Sequence, residues 1–145
     1  MNSIKGLLMT ILICCFSFIS HAQQYYNVLT YGAKNDSSKI CTKAISDAIN
    51  AASKEGGGTI YFPAGKYLTG PIHLKSNITI FIDAGAELHF SDNFDDYLPM
   101  VPSRFEGTTV NSFSPLFYAY KAENITITGR GIINGQWTKM VGYVV

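Results

Sequence analysis

The sequence predicts an all-β chain whose short strands stack as a solenoid, with a single helix closing the first rung. Three observations lead there. Apolar and polar residues alternate at a period of two in several short segments. Turns rich in Gly and Pro separate those segments. A tetrapeptide also repeats: Asn77-Ile78-Thr79-Ile80 returns as Asn124-Ile125-Thr126-Ile127, 47 residues on. One such coil cannot bury its apolar face alone, so coils of this kind stack. A β-sandwich also uses short alternating strands and stays open from pattern alone.

The first segment reads as an address. Lys5 precedes an apolar run over residues 7–19, and Ser20-His21-Ala22 places small residues where a signal peptidase reads them. Residues 1–22 are expected to be a cleaved signal peptide, which makes the protein secreted or periplasmic. The run is too short to cross ~30 Å of hydrocarbon, so no stable membrane anchor is expected. Cleavage removes Cys14 and Cys15 and leaves Cys41 alone. Burial and backbone pairing, not cross-links, must then hold the fold.

Residues 23–30 read as an entry strand, with Tyr26, Val28 and Leu29 as apolar contacts. Residues 31–36 read as a turn. Ile45, Ala48, Ile49 and Ala52 then recur at helical spacing, which predicts an amphipathic helix over residues 40–54. Ser37, Ser38 or Thr42 could cap its start. Gly56-Gly57-Gly58 ends it.

After the glycines the period becomes two. Ile60 and Phe62, then Ile78, Ile80 and Ile82, then Ile125 and Ile127 mark inward positions of short strands. No second helical segment intervenes, which disfavours a sheet crossed by helices. The 20-residue step from Ile60 to Ile80 suits one coil. The 47-residue step suits two coils, or one coil plus an insertion near residues 91–113. The helix would cover a sheet end that otherwise recruits other chains.

Composition narrows the function. A chain of 145 residues makes at most one domain. Charged residues are 14% and the net charge is +1, so there is no basic excess to neutralise a phosphate backbone, and no nucleic-acid partner is expected. His73 and His89 have no Cys or carboxylate at ligand spacing, so no metal is expected, and no motif asks for a cofactor. They read as strand surface residues. Cys41 reads as a buried spectator. The Gly56-Gly57-Gly58 run leaves a helix rather than entering one, the wrong order for a phosphate cradle.

Four stretches carry a resemblance. They are Tyr31-Gly32-Ala33-Lys34; Thr42-Lys43-Ala44-Ile45 with Ala48-Ile49; the run from Gly56 through Thr59-Ile60-Tyr61-Phe62-Pro63-Ala64-Gly65-Lys66-Tyr67; and the run from Leu68-Thr69-Gly70-Pro71-Ile72-His73-Leu74 to Ala84-Gly85-Ala86. Phe105-Glu106-Gly107, Ser114-Pro115-Leu116-Phe117-Tyr118 and Glu123-Asn124-Ile125-Thr126-Ile127-Thr128-Gly129 extend it. Together they resemble the N-terminal region of polygalacturonase-like enzymes (pectinases), family 28 of the glycoside hydrolases. The resemblance implies a right-handed parallel β-helix of the pectin-lyase-like kind with one capping α-helix. It also implies hydrolysis of α-1,4-galacturonosyl links in pectin with inversion, so that pectin or polygalacturonate is the expected partner. Oligomeric state is left open.

Inversion needs one carboxylic acid on the leaving oxygen and a second carboxylate activating water. The family takes these from Asn-Thr-Asp and Asp-Asp motifs, with Gly-His-Gly and Arg-x-Lys alongside. This sequence has no Asn-Thr-Asp, Gly-His-Gly or Arg-x-Lys. Its one Asp-Asp, Asp95-Asp96, reads as a solvated loop pair before Pro99 and Pro102. No catalytic residue is therefore assigned. Residues 23–145 are expected to be the N-terminal portion of a single β-helix domain, truncated before its acids and inactive alone. Arg104 and Glu106 are the candidate substrate-binding residues, because an Arg fork suits a uronate carboxylate. Trp137 could stack on a sugar. Asn35, Asn77 and Asn124 head Asn-x-Ser/Thr triplets but read as turn residues. Two other readings are a non-catalytic β-helical glycan-binding or surface protein, and a Ca²⁺-dependent pectate-lyase-like enzyme.

Overall fold

The computed structural model describes residues 24–136. The expected signal peptide (residues 1–22), Trp137 and residues 138–145 lie outside the described residues. Strand β1 (Tyr25–Asn27) runs into a 3-10 turn (Val28–Tyr31) and, after a loop, into helix α1 (Thr42–Lys54). Coil 1 follows as β2 (Gly58–Phe62), β3 (Gly65–Thr69) and β4 (Ile72–Leu74). Coil 2 is β5 (Ile78–Ile82), β6 (Ala86–Phe90) and β9 (Phe117–Ala119). Between β6 and β9 stand a 3-10 turn (Phe94–Tyr97) and the strands β7 (Val101–Phe105) and β8 (Thr108–Ser112). Coil 3 begins with β10 (Thr126–Gly129) and β11 (Ile132–Asn134).

Like strands of successive coils pair in parallel, giving sheets β1-β2-β5-β10, β3-β6-β11 and β4-β9. A sandwich pairs its strands antiparallel. Here the one antiparallel pair among the described residues is β7 with β8. The solenoid expectation holds, and the fold is a parallel β-helix.

The register explains the repeats. Ile60 lies opposite Ile80, and Ile80 opposite Ile127. The 47-residue step is thus one coil plus the insertion, not two coils. Inward ladders fill the stack: Tyr26, Ile60, Ile80 on one sheet, and Tyr67 and Leu88 on the next, all buried. Phe62 packs edge-on against Tyr67 at 5.5 Å, and Phe90 against Phe117 at 5.4 Å.

Helix α1 buries Ala44, Ile45, Ala48, Ile49 and Ala52 over the first coil. Three alanines on that face let it approach closely. Its start differs from expectation. The helix begins at Thr42, its N-cap is Cys41, and no side chain caps it. Neither Ser37 nor Ser38 serves. The Thr42 hydroxyl instead accepts from Gly70 N at 2.6 Å, fixing the helix to the corner after β3. The entry strand is also shorter than expected, because Asn27 caps the 3-10 turn by accepting from Leu29 N. At the other end Gly57 N returns to Ala52 O at 2.9 Å, as the glycine run requires.

Candidate functional site

The insertion expected as a loop near residues 91–113 is folded. Strands β7 and β8 form a hairpin whose turn is Glu106-Gly107, with φ of 47° and 86°. Positive φ at both turn positions matches the right-handed twist of the strands, and Gly at the second is the favoured residue. Arg104 and Glu106 therefore stand at the hairpin tip. Both are exposed. No ion pair joins them: the Arg104 guanidinium reaches the Gly107 carbonyl at 3.5 Å.

The hairpin is tied to the sheet β4-β9. Tyr118 OH points to Pro102 O at 3.5 Å. Ser114, at the hairpin's foot, is buried; its N donates to Tyr97 O, and its Oγ lies 3.1 Å from His73 Nε2. His73 and Tyr118 are register partners with rings 5.2 Å apart. His73 is an exposed strand residue, as expected. Its pairing with Ser114 and Tyr118 is not readable in the sequence, because 41 residues separate the first pair and nothing local marks the register.

Asp95-Asp96 lies in the turn Phe94–Tyr97. Asn93-Phe94-Asp95 has an Asn-x-Asp spacing, but Asn93 Oδ1 accepts from Asp95 N, which makes it the cap of that turn. Asp95 is exposed. Asp96 is not the solvated carboxylate expected: it accepts a short hydrogen bond from the Ser91 hydroxyl and is half-buried beside Gly70. The two carboxylates thus have separate tasks and do not converge on one site. Tyr97 is buried, its hydroxyl donates to Ser91 O at 2.7 Å, and burial pushes its pKa up to about 12.

Two polar clusters lie on other faces. On the sheet β3-β6-β11, Glu87 sits 2.8 Å from His89 and accepts from Asn134 at 3.3 Å, with Lys66 at 3.9 Å. The imidazole contact, then the Asn134 bond, holds the Glu87 carboxyl below its ordinary range. On the sheet β1-β2-β5-β10, Tyr61 OH donates to Asp83 at 2.6 Å and lowers that carboxyl likewise. Both clusters bind neighbouring rungs together. Cys41 is buried, and Lys34 N donates to its Sγ at 3.1 Å. Asn77 and Asn124 stack in one turn of adjacent coils, Asn124 Nδ2 donating to Asn77 Oδ1 at 3.0 Å.

Residues 25–144 match the family described as rhamnogalacturonase A/epimerase, pectate lyase-like. Over 120 residues the chain is 36% identical to an exo-poly-alpha-D-galacturonosidase of Dickeya chrysanthemi, covering 78% of this chain and 20% of that one. It is 32% identical over 135 residues to alginate lyase 7 of Azotobacter vinelandii, covering 82% of this chain and 14% of that one. The crystal structure of a hyperthermoactive exopolygalacturonase from Thermotoga maritima superposes with a TM-score of 0.74 at 41% identity, over 79% of this chain and 25% of that chain. A family 28 exopolygalacturonase of Yersinia enterocolitica gives 0.70 at 35% identity, over 79% and 21%. The chain thus spans a quarter or less of the length of these relatives.

Proposed function

Because the chain belongs to the rhamnogalacturonase A/epimerase, pectate lyase-like family, we propose that it supplies the first coils of a secreted glycoside hydrolase acting on pectin. One observation carries this reading: among the described residues, coil 3 is the last rung and no rung covers it. Ile127, Ile132 and Ile133 are 42%, 58% and 45% exposed, and no described strand pairs with the far edge of β10 or β11. Such an edge, with an apolar ladder beside it, calls for another coil. The short span relative to the relatives supports the same reading.

On this reading the paired aspartates of an inverting hydrolysis lie on coils that would follow coil 3. They would stand ~6.5–9.5 Å apart, leaving room for the attacking water. Arg104 and Glu106 would serve the substrate from the hairpin tip. The guanidinium would take a galacturonate carboxylate and the Glu106 carboxylate a sugar hydroxyl. On this reading the residues here would contribute folding and substrate contact, and cleavage would fall to the later coils. Incubation of the purified chain with polygalacturonate is expected to release no reducing ends. Clear release would overturn the placement of the catalytic acids.

The similarity to an alginate lyase favours one second reading, a polysaccharide lyase sharing the same opening coils. Full-length gene product acting by β-elimination would form unsaturated sugar ends that absorb in the ultraviolet. A hydrolase forms none.

A further inference from the structure

We propose that Asn134-Gly135 is a self-modification site: the chain's own backbone converts Asn134 to aspartate or isoaspartate, and the carboxylate so formed, set against Glu87, loosens coil 3 from coil 2. This holds whether or not the pectin reading does.

The reaction needs the backbone nitrogen after an asparagine to reach that asparagine's side-chain carbon. A Cβ on the following residue stands in the way, and glycine has none. Of all the asparagines in the chain, Asn134 alone is followed by glycine. The backbone does not otherwise demand that glycine. The φ of Gly135 lies outside the left-handed region, and a Cβ there would meet only the tip of the Leu116 side chain, at 3.3 Å.

The fold then poses the amide. Asn134 ends β11, and both it and Gly135 are half-buried. Asn134 Oδ1 accepts from Gln136 N at 3.0 Å, and Nδ2 donates to Glu87 Oε1 at 3.3 Å. A backbone N–H only donates and a carboxylate only accepts, so the two bonds fix which amide atom is which. The bond to Gln136 N closes a turn that folds the side chain back along its own following peptide. It also aims an N–H at the oxygen where negative charge develops when Cγ is attacked. That donor is itself anchored on coil 2, since Gln136 Nε2 donates to Phe90 O at 2.6 Å. Asn27 and Asn93 make the same turn, to Leu29 N and Asp95 N, but Val28 and Phe94 follow them. Only Asn134 joins the posed amide to a glycine.

The chemistry balances with water alone. The Gly135 nitrogen loses its proton and bonds to Asn134 Cγ; the Cγ–Nδ2 bond breaks, and ammonia leaves a five-membered imide. Water opens the imide at Cγ to give aspartate, or at the Asn134 backbone carbonyl to give isoaspartate. One water is consumed, one ammonia is released, and nothing is oxidised. The donor that Glu87 had is thereby exchanged for a like charge on the neighbouring rung, which destabilises cross-strand neighbours. Isoaspartate also adds a carbon to the backbone at the residue that pairs with His89.

The test incubates the folded full chain in ¹⁸O-labelled water and locates the label by mass spectrometry after trypsin releases residues 131–139. Asn134 is expected to take up ¹⁸O before any other asparagine, and at least about threefold faster than in the chain unfolded by guanidinium. Gly135→Ala is expected to slow the uptake at least about tenfold. Asn134→Asp is expected to lower the melting temperature, and Glu87→Gln in that background to recover most of the loss. Uptake at Asn134 that is as fast or faster in the unfolded chain would overturn the posed site, as would earlier label at Asn27 or Asn93. A melting temperature unmoved by Asn134→Asp, or not recovered by Glu87→Gln, would overturn the loosening of coil 3.

Discussion

Gly57 and Gly129 show how little room one residue has where rungs touch. Both have positive φ, +133° and +119°. A Cβ on Gly57 would overlap the Asn77 carbonyl, and one on Gly129 the Ile82 carbonyl. Gly57→Ala or Gly129→Ala is expected to cost at least about 1–3 kcal/mol, from backbone conformation alone. Denaturant unfolding of each variant would measure it. Gly107, with nothing within 4 Å of its own Cβ position, keeps only the φ penalty. The buried tyrosines set a pH limit of a different kind. Tyr67 donates to Pro63 O at 2.7 Å, and burial pushes its pKa up to about 12, as it does for Tyr97. Unfolded, each would titrate near ~10. The folded state therefore holds these protons more tightly, and the stability they contribute is complete below pH ~10. It is lost between pH ~10 and about 12. Urea midpoints should fall steeply across that window. Tyr67→Phe should flatten part of the fall, and an equally steep fall in the double variant Tyr67→Phe, Tyr97→Phe would contradict this origin.

At the scale of elements, helix α1 and the hairpin make opposite contributions. The helix is a lid whose Ile45 and Ile49 are each 1% exposed. Ile49→Ala should destabilise by about 2–5 kcal/mol, by lost transfer energy plus the cavity left over coil 1. A loss below about 1 kcal/mol would mean that the helix does not seal the stack. The hairpin adds mostly exposed surface and little core, since only Val101 of its two strands is buried. Much of this is readable in the sequence. The spacing of Ile45, Ala48, Ile49 and Ala52 locates the lid, and the alternation around Ile60 and Ile80 locates the inward ladder. The features that escape a sequence reading are governed by distant partners. Thr42 is drawn from capping by Gly70, 28 residues away, so local cap signals misplace the helix start. The hairpin resembles a loop in sequence because Thr108–Ser112 carries few apolar residues, and its pairing is fixed by the Glu106-Gly107 turn instead. His73 is legible as a surface residue, but Ser114 and Tyr118 reach it only through the stacking register.

For the whole molecule, the decisive asymmetry is between its two ends. The end under α1 is closed by apolar side chains. At the coil 3 end Ile127, Ile132 and Ile133 are exposed, beside strand edges that no described strand pairs. The chain alone should therefore self-associate as its concentration rises, and a longer chain carrying the next coils should not. Light scattering across a concentration series would show which. Under the proposed function these rungs would open a longer stack that acts on pectin and carries its acids on later coils. The most direct test of that central claim is the nucleotide sequence beyond the codon for Val145, read in all three frames. Further coil-spaced strands bearing Asn-Thr-Asp, Asp-Asp and Gly-His-Gly are the predicted result. A reading with no β-helical coils and none of these motifs in any frame would contradict it.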